Sequence, residues 1–191
     1  MSQIRNFASK GNFNGSSLIT DKKIESIFSK AKRERRTFVD AKIINPFLEA
    51  AMNVLKTMAM VEAKPGKPFI KKNSTAMGDV SGIIGITGDA QGSMSLSFDS
   101  PCICAIVTNL FGMAVSEIND EVKDAVGEMT NMICGDARRR LEGVGVSLQA
   151  GTPTVVAGQN HSIRHIHTGP CLAVPFETPD GKFVVEVAFN D

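Results

Sequence analysis

Residues 80–98 read Val-Ser-Gly-Ile-Ile-Gly-Ile-Thr-Gly-Asp-Ala-Gln-Gly-Ser-Met-Ser-Leu-Ser-Phe. Two strand-like runs, 80–87 and 93–98, flank Gly88-Asp89, a dipeptide at which a chain readily reverses into a hairpin. Strands joined by so short a turn pair antiparallel. Directly afterwards Ser100-Pro101 offers a helix start and Gly112 a stop. Glycines at 78, 82, 85, 88 and 92 resemble a phosphate loop only superficially. They spell neither GxGxxG nor GxxxxGK[ST], and hairpin geometry accounts for them better.

Upstream, Asn45 followed by Pro46 supplies an N-cap and a first helical residue, after which Phe47, Leu48, Ala51, Val54, Leu55 and Met58 form an apolar stripe. A Pro65-Gly66 turn and a short strand at 69–73 connect that helix to the hairpin. Downstream, Asn119 or Asp120 opens the longest helix, which reaches about Leu141 before Gly143 and Gly145 end it. Further strands are expected near 146–149, 154–157, 162–168 with 171–176 close behind, and 182–189 after a turn at 179–181. Helix and strands followed by helix and strands predict an α+β fold. In it, two pseudo-symmetric halves share one mostly antiparallel sheet with long helices on one face.

The 191 residues are 42% hydrophobic and 21% charged, enough apolar material for one core plus an appended tail. No run approaches the length of a membrane span and no secretory leader opens the chain, so the cytoplasm is the expected compartment. Cys102, Cys104, Cys134 and Cys171 form no CxxC pair and are expected to be buried thiols. Charge is uneven. Residues 1–39 hold nine Lys/Arg against three Asp/Glu, whereas residues 40–191 hold twelve against seventeen. The division is therefore a basic extension, 1–39, and a globular domain, 40–191. Within the extension, 1–20 is expected to be poorly ordered, and Ile24, Ile27, Phe28 and Ala31 mark a short amphipathic basic helix. An acidic body is a poor surface for nucleic acid, so neither a nucleic-acid partner nor a membrane span is expected. Contact with a partner or an anionic surface would fall to the extension.

On the long helix, Val122, Val126, Met129, Ile133 and Ala137 gather on one side at 100° per residue. Asp124, Glu128, Asn131 and Gly135 lie opposite, spaced by four, three and four. Gly127 and Gly135 flank or extend this row, although an interior glycine costs a helix about 1 kcal/mol relative to alanine. A bare strip of helix admits another backbone, which makes both glycines candidate partner contacts. Polar neighbours at these spacings also occur on any solvated helix face.

Asp124-Ala-Val-Gly-Glu128-Met-Thr-Asn131, followed across residues 132–152 by Pro153, resembles the signature of the CheC/CheX family of chemotaxis phosphatases, in its CheX branch. The likeness extends through residues 44–53, 78–85, 169–177 and 181–187 and covers about 40–190. It implies a phosphatase acting on the aspartyl-phosphate of a CheY-like response regulator, with Glu128 pairing with the regulator's active-site lysine. Asn131 would orient the attacking water, with Asp124 and Pro153 in supporting roles. The family implies no cofactor of the chain's own, Mg²⁺ being held by the partner, and a homodimer assembled through the sheet. CheC-type relatives often carry a second Glu-x-x-Asn pair on the first helix. Here that helix offers Glu49 and Asn53, one residue too far apart, so one site per chain is expected. The alternative is a module of the same fold that binds the regulator without accelerating hydrolysis.

His161, His165 and His167 raise the question of zinc, but no cysteine or carboxylate at ligand spacing completes a site locally, and no metal site is expected. Cys134 lies on the signature helix without a base partner in sequence, so a structural thiol is expected there.

Overall fold

The computed structural model describes residues 41–165 and 167–190; the basic extension, with the short helix expected in it, lies outside the described residues. Helix α1 spans Ala41–Ala59, α2 Ser100–Phe111 and α3 Asp120–Glu142. The strands are β1 (Lys64–Pro65), β2 (Phe69–Lys71), β3 (Val80–Gly88), β4 (Gly92–Phe98), β5 (Leu148–Ala150), β6 (Thr154–Ala157), β7 (Cys171–Thr178) and β8 (Gly181–Phe189). They form one sheet in the order β1-β7-β8-β4-β3-β5, with β2 also on β7 and β6 also on β3. Every pairing is antiparallel.

The order α1-β1-β2-β3-β4 is repeated by α3-β5-β6-β7-β8, and the halves are interleaved. Each contributes a long hairpin to the centre, where β4 lies against β8 with Ser95 opposite Glu186. The short strands cross over: β1 and β2 border the second hairpin, β5 and β6 the first. Neither half can complete its edge alone, so the expected pseudo-symmetry is one of mutual dependence.

Along β4, Met94, Leu96 and Phe98 join the helix-side core, and Ser93, Ser95 and Ser97 face the other way. Phe176 and Phe183 stack 4.8 Å apart, and Phe98 lies 5.3 Å from Phe183. Asp99 caps α2 by accepting from Cys102 N at 2.9 Å, and Gly112 ends that helix at φ 70, a left-handed conformation that favours glycine. Asn119 caps α3 by accepting from Val122 N at 3.0 Å.

Three expectations are corrected. The first helix is already formed at Ala41, so Pro46 sits inside it rather than at its first position. That proline, the sixth residue of the helix, has no N–H to give to the helix ladder, so one hydrogen bond is forgone there. Lys64 and Pro65 form a short strand against Glu177 and Phe176 before the chain turns. Among the described residues of 162–168 none belongs to a strand, and Ser162 makes a single bridge to Thr75. All four cysteines are free thiols.

Candidate active site on helix α3

The core stripe of α3 behaves as its spacing predicts: Val122, Val126, Ile133 and Ala137 are fully buried and Met129 nearly so. Asp124, Glu128 and Asn131 are exposed along the opposite side. Among the described residues, no hydrogen bond or ion pair engages these three side chains. Polar groups presented this way remain available to an incoming molecule.

The row stands on a fixed helix. Arg138 Nε donates to the carbonyl of Leu148 at 2.8 Å, and Arg140 reaches Glu49 at 3.0 Å and Asp136 at 3.1 Å. Asn53 Nδ2 donates to Asp136 at 3.3 Å. The residues of α1 that came nearest to a second Glu-x-x-Asn pair are thus spent on holding α1 to α3. On the sheet side, Thr130 is fully buried between Glu128 and Asn131 in sequence, its hydroxyl donating to Val126 O at 2.7 Å. Opposite it stands Gly82 of β3, where an added Cβ would come within 2.0 Å of Thr130 Oγ1. The missing side chain lets α3 approach the sheet closely.

The two glycines of the helix differ. Around Gly135 an added Cβ would meet nothing within 4 Å, which leaves the bare strip open. Gly127 is buried, and a Cβ there would lie 3.4 Å from Val155 of β6. Its burial beside the sheet edge runs against the partner contact expected of it. Pro153 immediately precedes β6, the strand that packs on Gly127.

A groove of about 690 Å³ borders the row at Asp124 and Glu128. Its walls carry Met58, Leu110, Phe111, Met113, Met129 and Met132. Met58, assigned to the core stripe from spacing, is 47% exposed, and Phe111 and Met113 are 51% and 63% exposed. Flexible, polarizable methionines suit a surface that moulds to a partner. Sequence reading missed this wall because it is assembled from the ends of α1 and α2 and the middle of α3; the apolar Phe111-Gly-Met113 run across a helix stop was its one local sign.

Burial pushes the Cys134 thiol up to about 11, which keeps it protonated and agrees with a structural role. His161 and His165 engage the sheet, away from the signature helix. His161 Nε2 lies 2.7 Å from Ser81 Oγ, and His165 contacts Ser93 and Glu186 on the sheet face turned away from the helices. No helix among the described residues is long and apolar enough to cross a membrane.

Comparison with known proteins agrees with this geometry. Residues 80–177 match the family model described as chemotaxis phosphatase CheX. The CheY-P phosphatase CheX of Thermotoga maritima is 29% identical over 138 residues, 72% of this chain and 88% of the relative. The crystal structure of chemotaxis protein CheX from Vibrio vulnificus is 46% identical, with a TM-score of 0.74 over 78% of this chain and 100% of that one. A CheX-CheY-BeF3-Mg²⁺ complex from Borrelia burgdorferi contains a chain 30% identical, with a TM-score of 0.66 over 78% of this chain and 98% of that one.

Proposed function

The chain belongs to the CheX family of chemotaxis phosphatases, and on that premise we propose that it hydrolyses the aspartyl-phosphate of a CheY-like response regulator. The observation that carries this reading is the pair Glu128 and Asn131, exposed and unengaged on a helix anchored at both flanks. Glu128 pairs with the regulator's active-site lysine and sets the register of the two proteins. One helical turn on, Asn131 reaches the phosphoryl group. Its amide both accepts and donates without adding negative charge, so it holds a water in line with phosphorus and tolerates the phosphoryl oxygens. Water attacks phosphorus, the bond to the aspartyl oxygen breaks, and phosphate leaves with the regulator's carboxylate restored. Catalysis by alignment of this kind needs little chemistry from the enzyme.

The regulator supplies the phosphorylated aspartate and binds Mg²⁺, so this chain contributes half of a composite site and needs no cofactor for the reaction. The relative crystallised with CheY and Mg²⁺ supports such a partner. The bare surface at Gly135 and the methionine-walled groove beside Glu128 provide the remaining docking area, and Asp124 borders the groove. A homodimer built through the sheet fits two edges, β1 with β2 and β5 with β6, whose strands are short. A cytoplasmic location, the compartment expected from the sequence, belongs to the same proposal.

The test is phosphate release from a phosphorylated response regulator of the same cell, with wild type, Glu128→Ala and Asn131→Ala in parallel. Acceleration by wild type that disappears in both folded variants, with binding retained by Asn131→Ala, is the expected result. Tight binding without acceleration would instead identify a non-catalytic binding module.

A further inference from the structure

The sheet face turned away from the helices carries a cluster that the phosphatase reading does not use. Glu186 alternates with Val185 and Val187 of the helix-side core, so its carboxylate points to the opposite face, where it is fully buried. Lys71 Nζ holds Oε1. Around Oε2 lie His165 Nε2 at 3.1 Å and Cys171 Sγ at 3.8 Å. One donor atom from each of His165, Cys171 and Glu186 falls within 4.8 Å of the others. The sequence hid this set because its members come from a loop and two different strands.

We propose that His165, Cys171 and Glu186 bind a thiophilic divalent cation of the zinc class, which fastens the loop bearing His165 to the sheet. In a tetrahedral zinc site with bonds of about 2.0–2.3 Å to nitrogen, oxygen and sulfur, neighbouring donor atoms stand about 3.3–3.7 Å apart. The two distances to Glu186 Oε2 straddle that range, so the cation requires only that His165 and Cys171 draw together. A ligating imidazole normally donates its other ring N–H to a partner that fixes its orientation. Ser93 Oγ, 2.7 Å from His165 Nδ1, stands in that position.

The proton balance is simple. Without the cation, Nε2–H donates to the Glu186 carboxylate, which can only accept, and Nδ1 meets the Ser93 hydroxyl. On binding, Nε2 gives its proton to solvent and its lone pair to the metal, and the ring holds its one remaining N–H at Nδ1, taken from solvent if it was not already there, where it donates to Ser93. The thiol loses its proton to solvent. Burial, and next the Glu186 carboxylate, push that thiol up to about 12, so it needs a cation close by to become the thiolate ligand. Lys71 stays on Oε1, keeping the carboxylate ionised while Oε2 is given to the metal. The fourth position falls to water or to His167, whose ring centre is 5.5 Å from that of His165.

Cobalt(II) is the probe. Full-length protein stripped with chelator and titrated with Co²⁺ is expected to develop a thiolate-to-cobalt charge-transfer band and the visible bands of four-coordination, saturating at one equivalent and displaced by Zn²⁺. Cys171→Ser is expected to abolish the charge-transfer band, and Ser93→Ala to weaken binding by about tenfold to a hundredfold. Cys134→Ser keeps the band. Because the cluster lies across the sheet from α3, Cys171→Ser also keeps phosphatase activity. Absence of the band in wild type overturns the proposal even if a variant fails to fold, and so does a band that survives Cys171→Ser and His165→Gln.

Discussion

Gly82→Ala is a one-methyl change that should disturb both stability and catalysis. The new Cβ would lie 2.0 Å from Thr130 Oγ1, 3.1 Å from Thr130 Cβ and 3.2 Å from Val126 Cγ1. Ordinary contact begins at 3.4 Å, so about 1.4 Å must be recovered at the closest atom. Thr130 cannot simply swing aside: it is β-branched, fully buried, and tied to Val126 O. The helix must lift from the sheet. Overpacking of this kind costs about 1–3 kcal/mol, offset by about 0.4–1 kcal/mol because alanine restricts the unfolded chain. A net loss of about 1–2 kcal/mol corresponds to a melting point lower by about 2–8 °C for a domain of this size. Thr130 lies between Glu128 and Asn131, so the displaced helix misplaces both. A shift near 1 Å is expected to reduce kcat/KM on the phosphorylated regulator by about a hundredfold. Thr130→Ala in the same chain removes the clashing hydroxyl, and the double variant should recover at least half of the lost stability in urea titrations followed by circular dichroism. A Gly82→Ala protein with wild-type midpoint, or a double variant whose losses simply add, would refute the close-approach argument.

Gly135→Ala enters open space in mid-helix and is expected to raise stability by up to about 1 kcal/mol while raising KM for the regulator; an unchanged KM would show that the bare strip is not used in docking. Asn119→Ala removes the cap on α3 and should cost about 1 kcal/mol in urea titration, with the m-value unchanged. Glu186→Gln breaks a buried charged network and should cost about 3–5 kcal/mol at neutral pH. Burial works to raise the Glu186 pKa, but hydrogen bonds from His165 and Lys71, with Lys71's charge, carry it below its ordinary 4.5. Below 4.5 the unfolded chain binds the proton first. The carboxylate's contribution is therefore complete above pH 4.5 and lost as pH falls through the lower folded value. Scanning calorimetry from pH 7 to pH 3 should show a shallower acid decline in the variant than in wild type, and equal slopes would remove Glu186 as the titrating group.

How far the sequence could be read depended on how local the determining contacts were. The buried and exposed sides of α3 follow from residues three and four apart, so the Glu128–Asn131 row was legible from spacing. The 80–98 hairpin was legible for the same reason, its turn lying between the strands it joins. Pro46 misled because the rule for a first-turn proline describes a preference, and a proline further in loses a single bond. Gly127 misled because its position near the exposed row says nothing about β6, which arrives from 28 residues later to cover it through Val155. The stretch 162–168 has a strand's alternation, yet among its described residues pairing is limited to the one bridge from Ser162 to Thr75, a contact that alternation alone does not forecast.

These failures share a cause with the cluster at Glu186. A carboxylate from β8, a thiol from β7 and an imidazole from the intervening loop meet only because β7 and β8 pair with Ala173 opposite Glu186 and Cys171 opposite Ala188. A one-residue slip in that register would turn Glu186 into the helix-side core and scatter the three donors. The same register aligns Val185 and Val187 beneath the helices. The pairing that supports the phosphatase helix on one face is thus the pairing that assembles the candidate cation site on the other. Substitutions that loosen β7 from β8 should therefore impair both together, whereas changes confined to Cys171 should separate them.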